Sequence, residues 1–331
     1  MVVLDNRLTG NDIPHMIPYG RQQVDEDDLR AVAEVLRSDY LTTGPKVGEF
    51  EAAIAKFAGA AQAVAVSSGT AALHAAMAAI GIGPGDEVIV PPITFAATAN
   101  AVVYCGGTPV FAEVLPDTLL LDPAAVAAKI TSRTRAVIAV DYAGQPCDYP
   151  ALQPLCSRHG LKLIADACHA LGAEQHGRRV GTLADLTCFS FHPVKHLTTG
   201  EGGMVLTGDA GLATAMRRFR NHGIATDYRQ REAQGEWYYE MTALGWNYRI
   251  TDFQCALGIS QLRKLPAWLE RRRALAARYD AAFAGSEVRP LPVAPGVRHA
   301  YHLYVVRVPQ RESVFRALRR QGIGVNVHYV P

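Results

Sequence analysis

Three short segments hold residues whose types and spacing could act together on one ligand. The first, Ala65-Val66-Ser67-Ser68-Gly69-Thr70-Ala71-Ala72-Leu73, reads as a strand, a turn of small hydroxyl and glycine residues, and the start of a helix. Unpaired N–H groups at a helix N-terminus, with Ser68 and Thr70 hydroxyls beside them, make a cradle for a phosphate. An ordinary N-cap accounts for the same residues, because Ser and Thr are favoured there. The second segment, Leu161-Lys162-Leu163-Ile164-Ala165-Asp166-Ala167-Cys168-His169, ends a buried strand on an acid. Open α/β sheets hold their ligands at that end of a strand. Asp166 is either a ligand-facing acid or the N-cap of the next helix. His169 either touches the same ligand or is a satisfied core histidine.

The third segment, Cys188-Phe189-Ser190-Phe191-His192-Pro193-Val194-Lys195-His196, runs into Gly200-Glu201-Gly202-Gly203. Lys195 thus follows a strand and a proline turn. A single lysine in such a place is ordinarily solvated, and its company gives it weight. Lys195, Asp166 and the Ser68-Gly69-Thr70 turn all fall at C-terminal ends of strands. They offer an amine for a Schiff base, an acid for a pyridinium nitrogen and a cradle for one phosphate. Pyridoxal phosphate (PLP) needs those anchors.

The elements that must position them alternate between helix and strand from residue 24 to about 265, the pattern of an α/β domain with a largely parallel sheet. Strands are expected over 63–66, 87–90, 108–111, 136–140, 162–165, 186–191 and 203–206. Helices are expected over 25–37, 47–58, 71–80, 123–130 and 149–159. Residues 225–239 are polar and irregular, and read as a surface loop or short hairpin. A long helix over 266–283 carries Arg271, Arg272 and Arg273 on an expected solvated face. The end of the chain reads strand (302–308), helix (312–321), strand (324–329). The spacing divides the chain into a tail at 1–16, a large domain at 17–265, and a connecting helix with a small α+β domain at 266–331.

Composition excludes several classes. The chain has 331 residues, 49% of them apolar, with 33 Lys plus Arg against 31 Asp plus Glu. The net charge of +2 argues against nucleic acid and anionic membrane surfaces as partners. Apolar runs are broken well before a membrane span is complete, and residues 1–16 lack the apolar core of a signal peptide. A soluble, cytoplasmic protein is expected. The six cysteines form no C-x-x-C pair and read as reduced thiols. His192 and His196 are four apart but flank Pro193 and lack a third ligand, so no metal site is expected.

These segments resemble the sugar aminotransferases of the DegT/DnrJ/EryC1/StrS family, within fold type I of the PLP enzymes. The likeness runs from Ile17-Pro18-Tyr19 to the end of the chain. Gly245-Trp246-Asn247-Tyr248-Arg249-Ile250-Thr251-Asp252 matches the family's G-x-N-Y-R-x-T-D signature. Val140-Asp141-Tyr142-Ala143-Gly144 and Val327-His328-Tyr329-Val330-Pro331 point to the branch of UDP-sugar 4-aminotransferases of pseudaminic acid biosynthesis. The resemblance implies a fold type I architecture, with a largely parallel seven-stranded sheet between helices and a smaller C-terminal α+β domain. It implies that Lys195 carries the cofactor as a Schiff base and moves the proton, that Asp166 pairs with the pyridine nitrogen, and that His169 lies near the phenolic oxygen. Ser68, Gly69, Thr70 and Ser190 would hold the phosphate, with Asn247 reaching in from a second subunit of a homodimer. Phe95 would stack on the ring. Tyr19, Leu41, Thr42, His328 and Tyr329 match positions lining the nucleotide-sugar pocket.

The reaction implied takes the amino group of L-glutamate, through pyridoxamine phosphate (PMP), to C4 of a UDP-linked 2-acetamido-2,6-dideoxy-4-hexulose. The family usually continues beyond the position of Pro331, so the resemblance implies an incomplete small domain. Rival expectations are UDP- or dTDP-4-keto sugars of the bacillosamine or legionaminic acid type, a sugar dehydratase of the same family, or a non-catalytic module. The dehydratases replace the lysine with histidine, and here Lys195 occupies that position. A dinucleotide enzyme is disfavoured. Gly81-Ile82-Gly83-Pro84-Gly85-Asp86 follows a helix and precedes a strand, the reverse of the dinucleotide fingerprint.

Overall fold

The opening acids of the first helix have a structural explanation. Asp25 and Asp28 form a capping box that satisfies the free N–H groups starting α1 (Glu26–Leu36). Residues 16–226 and 228–331 are described by the structure, a computed structural model; the expected tail at 1–16 lies, apart from Met16, outside the described residues.

Then follow α2 (Pro45–Ala58), β1 (Gln62–Val66), α3 (Gly69–Ala79), β2 (Glu87–Val90), α4 (Ala97–Tyr104) and β3 (Thr108–Phe111). The middle of the chain gives α5 (Pro123–Lys129), β4 (Thr134–Val140), α6 (Tyr149–Arg158), β5 (Lys162–Asp166), β6 (Glu174–Gln175) and β7 (Arg178–Arg179). Next come β8 (Leu186–Ser190), β9 (Gly203–Thr207), α7 (Ala210–Phe219), α8 (Tyr228–Gln234) and α9 (Asp252–Phe283). The chain closes with β10 (Arg289–Pro290), β11 (Val297–Arg298), β12 (Val306–Arg307) and α10 (Arg311–Arg320).

Seven strands form the central sheet in the order β1-β9-β8-β5-β4-β2-β3. Only β9 runs against its neighbours in that sheet. Its strands are apolar on both faces because helices cover both. Ala63 and Ala65 of β1 pack on the side of Phe50 and Ile54 of α2, while Val64 and Val66 pack with Leu73 and Met77 of α3. Strand register brings Asp166 beside Val140 and Cys188, and Gly203 beside both Val66 and Ser190. The C-terminal ends of β1, β5 and β8 therefore open on one edge of the sheet. That is the fold type I α/β arrangement. Among the described residues no helix is long and apolar enough to cross a membrane.

Several sequence expectations need correction. The long helix starts at Asp252, where Thr251 and Gln254 form a capping box, and Pro266 lies inside it. Pro266 resembles a helix start because proline suits the first turn. Here packing of α9 against α1 and α2 carries the helix through it. Asp252, fully buried, accepts the N–H groups of Gly44 (2.7 Å) and Lys46 (2.8 Å), tying the starts of α2 and α9 together.

Arg272 and Arg273 are half-buried rather than on a solvated face, although Arg271 is exposed. Arg272 donates to the Tyr301 carbonyl (3.0 Å), and Arg273 to the His299 carbonyl (3.0 Å). Of the expected strand 302–308, only Val306–Arg307 pairs, with β10. Its first part is held instead by loop contacts. The N–H groups of Ala300 and Leu303 go to the Gly144 and Ala143 carbonyls.

Residues 324–329 form no strand. Backbone bonds link Ile17 to Gly322 and Gly324, and beyond them the segment turns into the cleft, where Tyr142 donates to the His328 carbonyl. Residues 225–239 hold α8, flanked by an antiparallel bridge between Ile224 and Met241.

Candidate active site

At the open edge of the sheet lies a cavity of about 540 Å³. Ser68, Gly69, Thr70, Phe95, Asp166, His169, Ser190 and Lys195 all line it, and so do Tyr19, His328 and Tyr329. The three segments singled out by chemistry thus meet in one place.

Ser68 caps α3, accepting the Ala71 N–H at 3.0 Å. The N–H groups of Gly69 and Thr70 come before the first helical acceptor and are left without an intrahelical carbonyl. Gly69 is needed for closeness. A Cβ there would stand 2.8 Å from Ser190 Cβ and 3.3 Å from Cys168 Sγ. Gly144 lets the backbone pack closely behind His169 and His302. Its φ of +107° lies in the left-handed region, and a Cβ would fall 2.8 Å from the His169 carbonyl and 2.9 Å from the Tyr301 N–H.

Asp166 ends β5 with 6% of its surface exposed. Its Oδ2 accepts the Thr98 hydroxyl at 2.6 Å. Lys195 is half-buried, and burial lowers the proton affinity of its amine, opposed by the Asp166 charge. Burial and the Lys195 charge hold His169 well below the ordinary histidine range, so it is neutral. Its Nε2 stands 3.2 Å from the Tyr329 hydroxyl, and its Nδ1 is buried with no hydrogen-bond partner. His302 packs at 4.4 Å between ring centroids, also with an unpartnered Nδ1. Phe95 is 62% exposed at the mouth, 6.3 Å from the Tyr329 ring, and Tyr19 stands 5.8 Å from the His328 ring.

Three expected residues stand outside the cavity of their own chain. The Leu41 carbonyl accepts the Asp252 N–H, Thr42 pairs with Thr251, and exposed Asn247 pairs with Asn221. Thr94, Thr98, Cys168 and His302 belong to the site's surroundings and escape sequence reasoning. The i, i+4 spacing of Thr94 and Thr98 was the available signal. His302 sat in an expected strand and gave none. No group of three or more His, Cys, Asp or Glu able to hold a metal occurs among the described residues.

The wall fits PLP on its own features. A glycine cradle that a single Cβ would fill sits at a helix N-terminus. A lysine amine and a buried carboxylate share the cavity, and a buried histidine nitrogen there lacks a partner.

Comparison with known proteins agrees with that chemistry. A family model described as the DegT/DnrJ/EryC1/StrS aminotransferase family matches residues 22–331. The spore coat polysaccharide biosynthesis protein SpsC of Bacillus subtilis is 41% identical over 96% of this chain and 84% of its own. Spr1654 of Streptococcus pneumoniae, solved in a PMP form, superposes with a TM-score of 0.91 at 32% identity, over 95% of this chain and 86% of that one. Its PLP form gives 0.89. Helicobacter pylori PseC, an aminotransferase involved in the biosynthesis of pseudoaminic acid, gives 0.89 at 35% identity, over 96% and 85%.

Proposed function

The chain belongs to the DegT/DnrJ/EryC1/StrS aminotransferase family of PLP-dependent transaminases, and we propose that it moves the amino group of L-glutamate to C4 of a UDP-linked 2-acetamido-2,6-dideoxy-4-hexulose. The observation that carries this reading is the meeting of Lys195, Asp166 and the Ser68-Gly69-Thr70 turn on one cavity wall.

Bound PLP supplies an aldehyde for amines and an electron sink for the carbanion left when a proton departs. Lys195 would hold it through its side-chain amine and would carry a proton between donor and acceptor carbons. Burial lowers the proton affinity of that amine, the direction a nucleophile or base requires. Asp166 would accept the ring N–H. Neutral His169 would lie by the phenolic oxygen without adding a positive charge beside Lys195. The free N–H groups of Gly69 and Thr70, with Ser190, would bind the phosphate, and Phe95 would stack on the ring. Tyr19, His328 and Tyr329 meet the nucleotide sugar at the mouth.

Asn247, Leu41 and Thr42 are assigned to the neighbouring site of a homodimer. The exposed apolar residues Trp237, Tyr238, Met241, Leu244 and Trp246 near Asn247 support such an interface. Free thiols at all six cysteines accord with a cytoplasmic setting. The pseudaminic-type sugar rests on the likeness to PseC. The 41% identity to SpsC, a spore coat polysaccharide biosynthesis protein, keeps an acceptor outside the pseudaminic type, such as another nucleotide-linked 4-keto sugar, as the second reading.

An absorption spectrum with PLP, before and after L-glutamate, tests the first half-reaction. The visible band is expected to bleach. A band that glutamate leaves unchanged overturns the donor, and no band overturns the reading. A panel of UDP- and dTDP-4-keto sugars, scored for amine formation, then decides the acceptor.

A further inference from the structure

Thr98 has no role in the proposed reaction, yet it is fully buried one turn beyond Phe95 and its hydroxyl donates to Asp166 Oδ2 at 2.6 Å. A hydroxyl has one proton to give. Because that of Thr98 goes to the carboxylate, its 2.6 Å contact with Thr94 Oγ1 must run from Thr94 to Thr98. The order is Thr94 to Thr98 to Asp166, and each bond polarises the next. The other carboxylate oxygen, Oδ1, receives the Cys168 N–H at a long 3.4 Å.

We propose that Thr98 is a positioning residue. It pins Oδ2 of Asp166, so that Oδ1 keeps its acceptor capacity for the ring nitrogen of PLP, and Thr94 orients Thr98 from the cavity side. The proposal rests on the reading of Asp166 given above. It also ties the turn that carries Phe95 to the acid at the cavity floor, since Thr94 and Phe95 are adjacent and both line the cavity.

The test measures PLP dissociation by equilibrium dialysis and the pH midpoint of the visible band of lysine-bound PLP. Thr98→Val keeps the shape and removes the hydroxyl. Loss of a hydrogen bond to a charged group predicts roughly tenfold or greater weakening of PLP binding, together with a displaced midpoint. Thr98→Ser keeps the donor and is expected to restore both to within about threefold of wild type. Thr94→Val is expected to act in the same direction but less, and to add nothing once Thr98 is Val. A Thr98→Val protein with wild-type binding and midpoint overturns the proposal. So does a Thr94→Val effect of equal size in both backgrounds. Thr94 is only part-buried, so its variant keeps the test open should Thr98→Val fail to fold. Asp166→Asn separates the two readings. If it leaves binding and band unchanged, the assignment of Asp166 itself fails. If it perturbs both while Thr98→Val does not, only the relay fails.

Discussion

Lys195 and His169 share the cavity, and burial acts on both to favour the neutral form. A neutral His169 leaves room for the positive charge that the role proposed for Lys195 would bring. Lys195→Ala is expected to abolish the visible band and to lower transamination at least about 10³-fold, since both the covalent link and the proton carrier go. Borohydride reduction followed by mass spectrometry checks the link, and a covalent adduct that survives the substitution would contradict the assignment. These residues were legible in the sequence because each follows an apolar strand at a turn of small or proline residues. Thr98 was not. Its partner Asp166 is 68 positions away, and no local pattern says which hydroxyl will reach a distant carboxylate.

Two cases at the scale of elements show why termini matter. Ser68 caps α3 through the Ala71 N–H, so Ser68→Ala is expected to cost about 1 kcal/mol in urea unfolding. The N–H groups of Gly69 and Thr70, which have no intrahelical acceptor, would remain, so a phosphate site should survive it with weakened order. Arg272 is the converse. Read as part of a solvated basic run, it instead holds the Tyr301 carbonyl beside the cavity wall. Arg272→Met keeps most of the apolar stem but leaves that carbonyl unpaired, an expected loss of roughly 1–3 kcal/mol by the same measurement. A change under a few tenths would return Arg272 to the surface. Helix and strand were readable here from spacing and caps. The short C-terminal strands were not, because an apolar alternation over 324–329 serves a cavity wall as well as a ladder.

Across the whole molecule, buried titratable groups predict an asymmetric pH response. Burial holds His169, His196 and His302 well below the ordinary histidine range, and His299 down to about 3. They stay neutral in the folded state while the unfolded chain binds protons below about pH 6.5, so stability falls as pH drops through that value. Each adds up to about 1.4 kcal/mol per pH unit. Asp141 has the opposite sign. Burial raises its carboxyl to about 8, so the folded state keeps a proton that the unfolded chain has lost. Its contribution declines as pH rises from about 4 to about 8. Four histidines outweigh one aspartate on the acid side, and thermal midpoints should drop steeply below pH 6. Asp141→Asn should flatten the milder decline toward pH 8. A scanning fluorimetry series across pH 4–9 reads both, and a flat profile below pH 6 would contradict the histidine account.

Taken by itself, the sequence determined the strands of the central sheet, most of the helices between them, the class of chemistry, and the lysine, acid and Ser-Gly-Thr turn that share an edge. Apolar periodicity, caps and glycine turns act over a few residues, and such signals survive in a linear chain. Only the tertiary structure decided which distant side chains meet. Tyr329 reaches His169, Thr98 reaches Asp166, and Arg272 reaches the Tyr301 carbonyl because sheet order, helix packing and the path of the last residues bring them together. Those contacts depend on the orientation of whole elements, which no short stretch of sequence encodes.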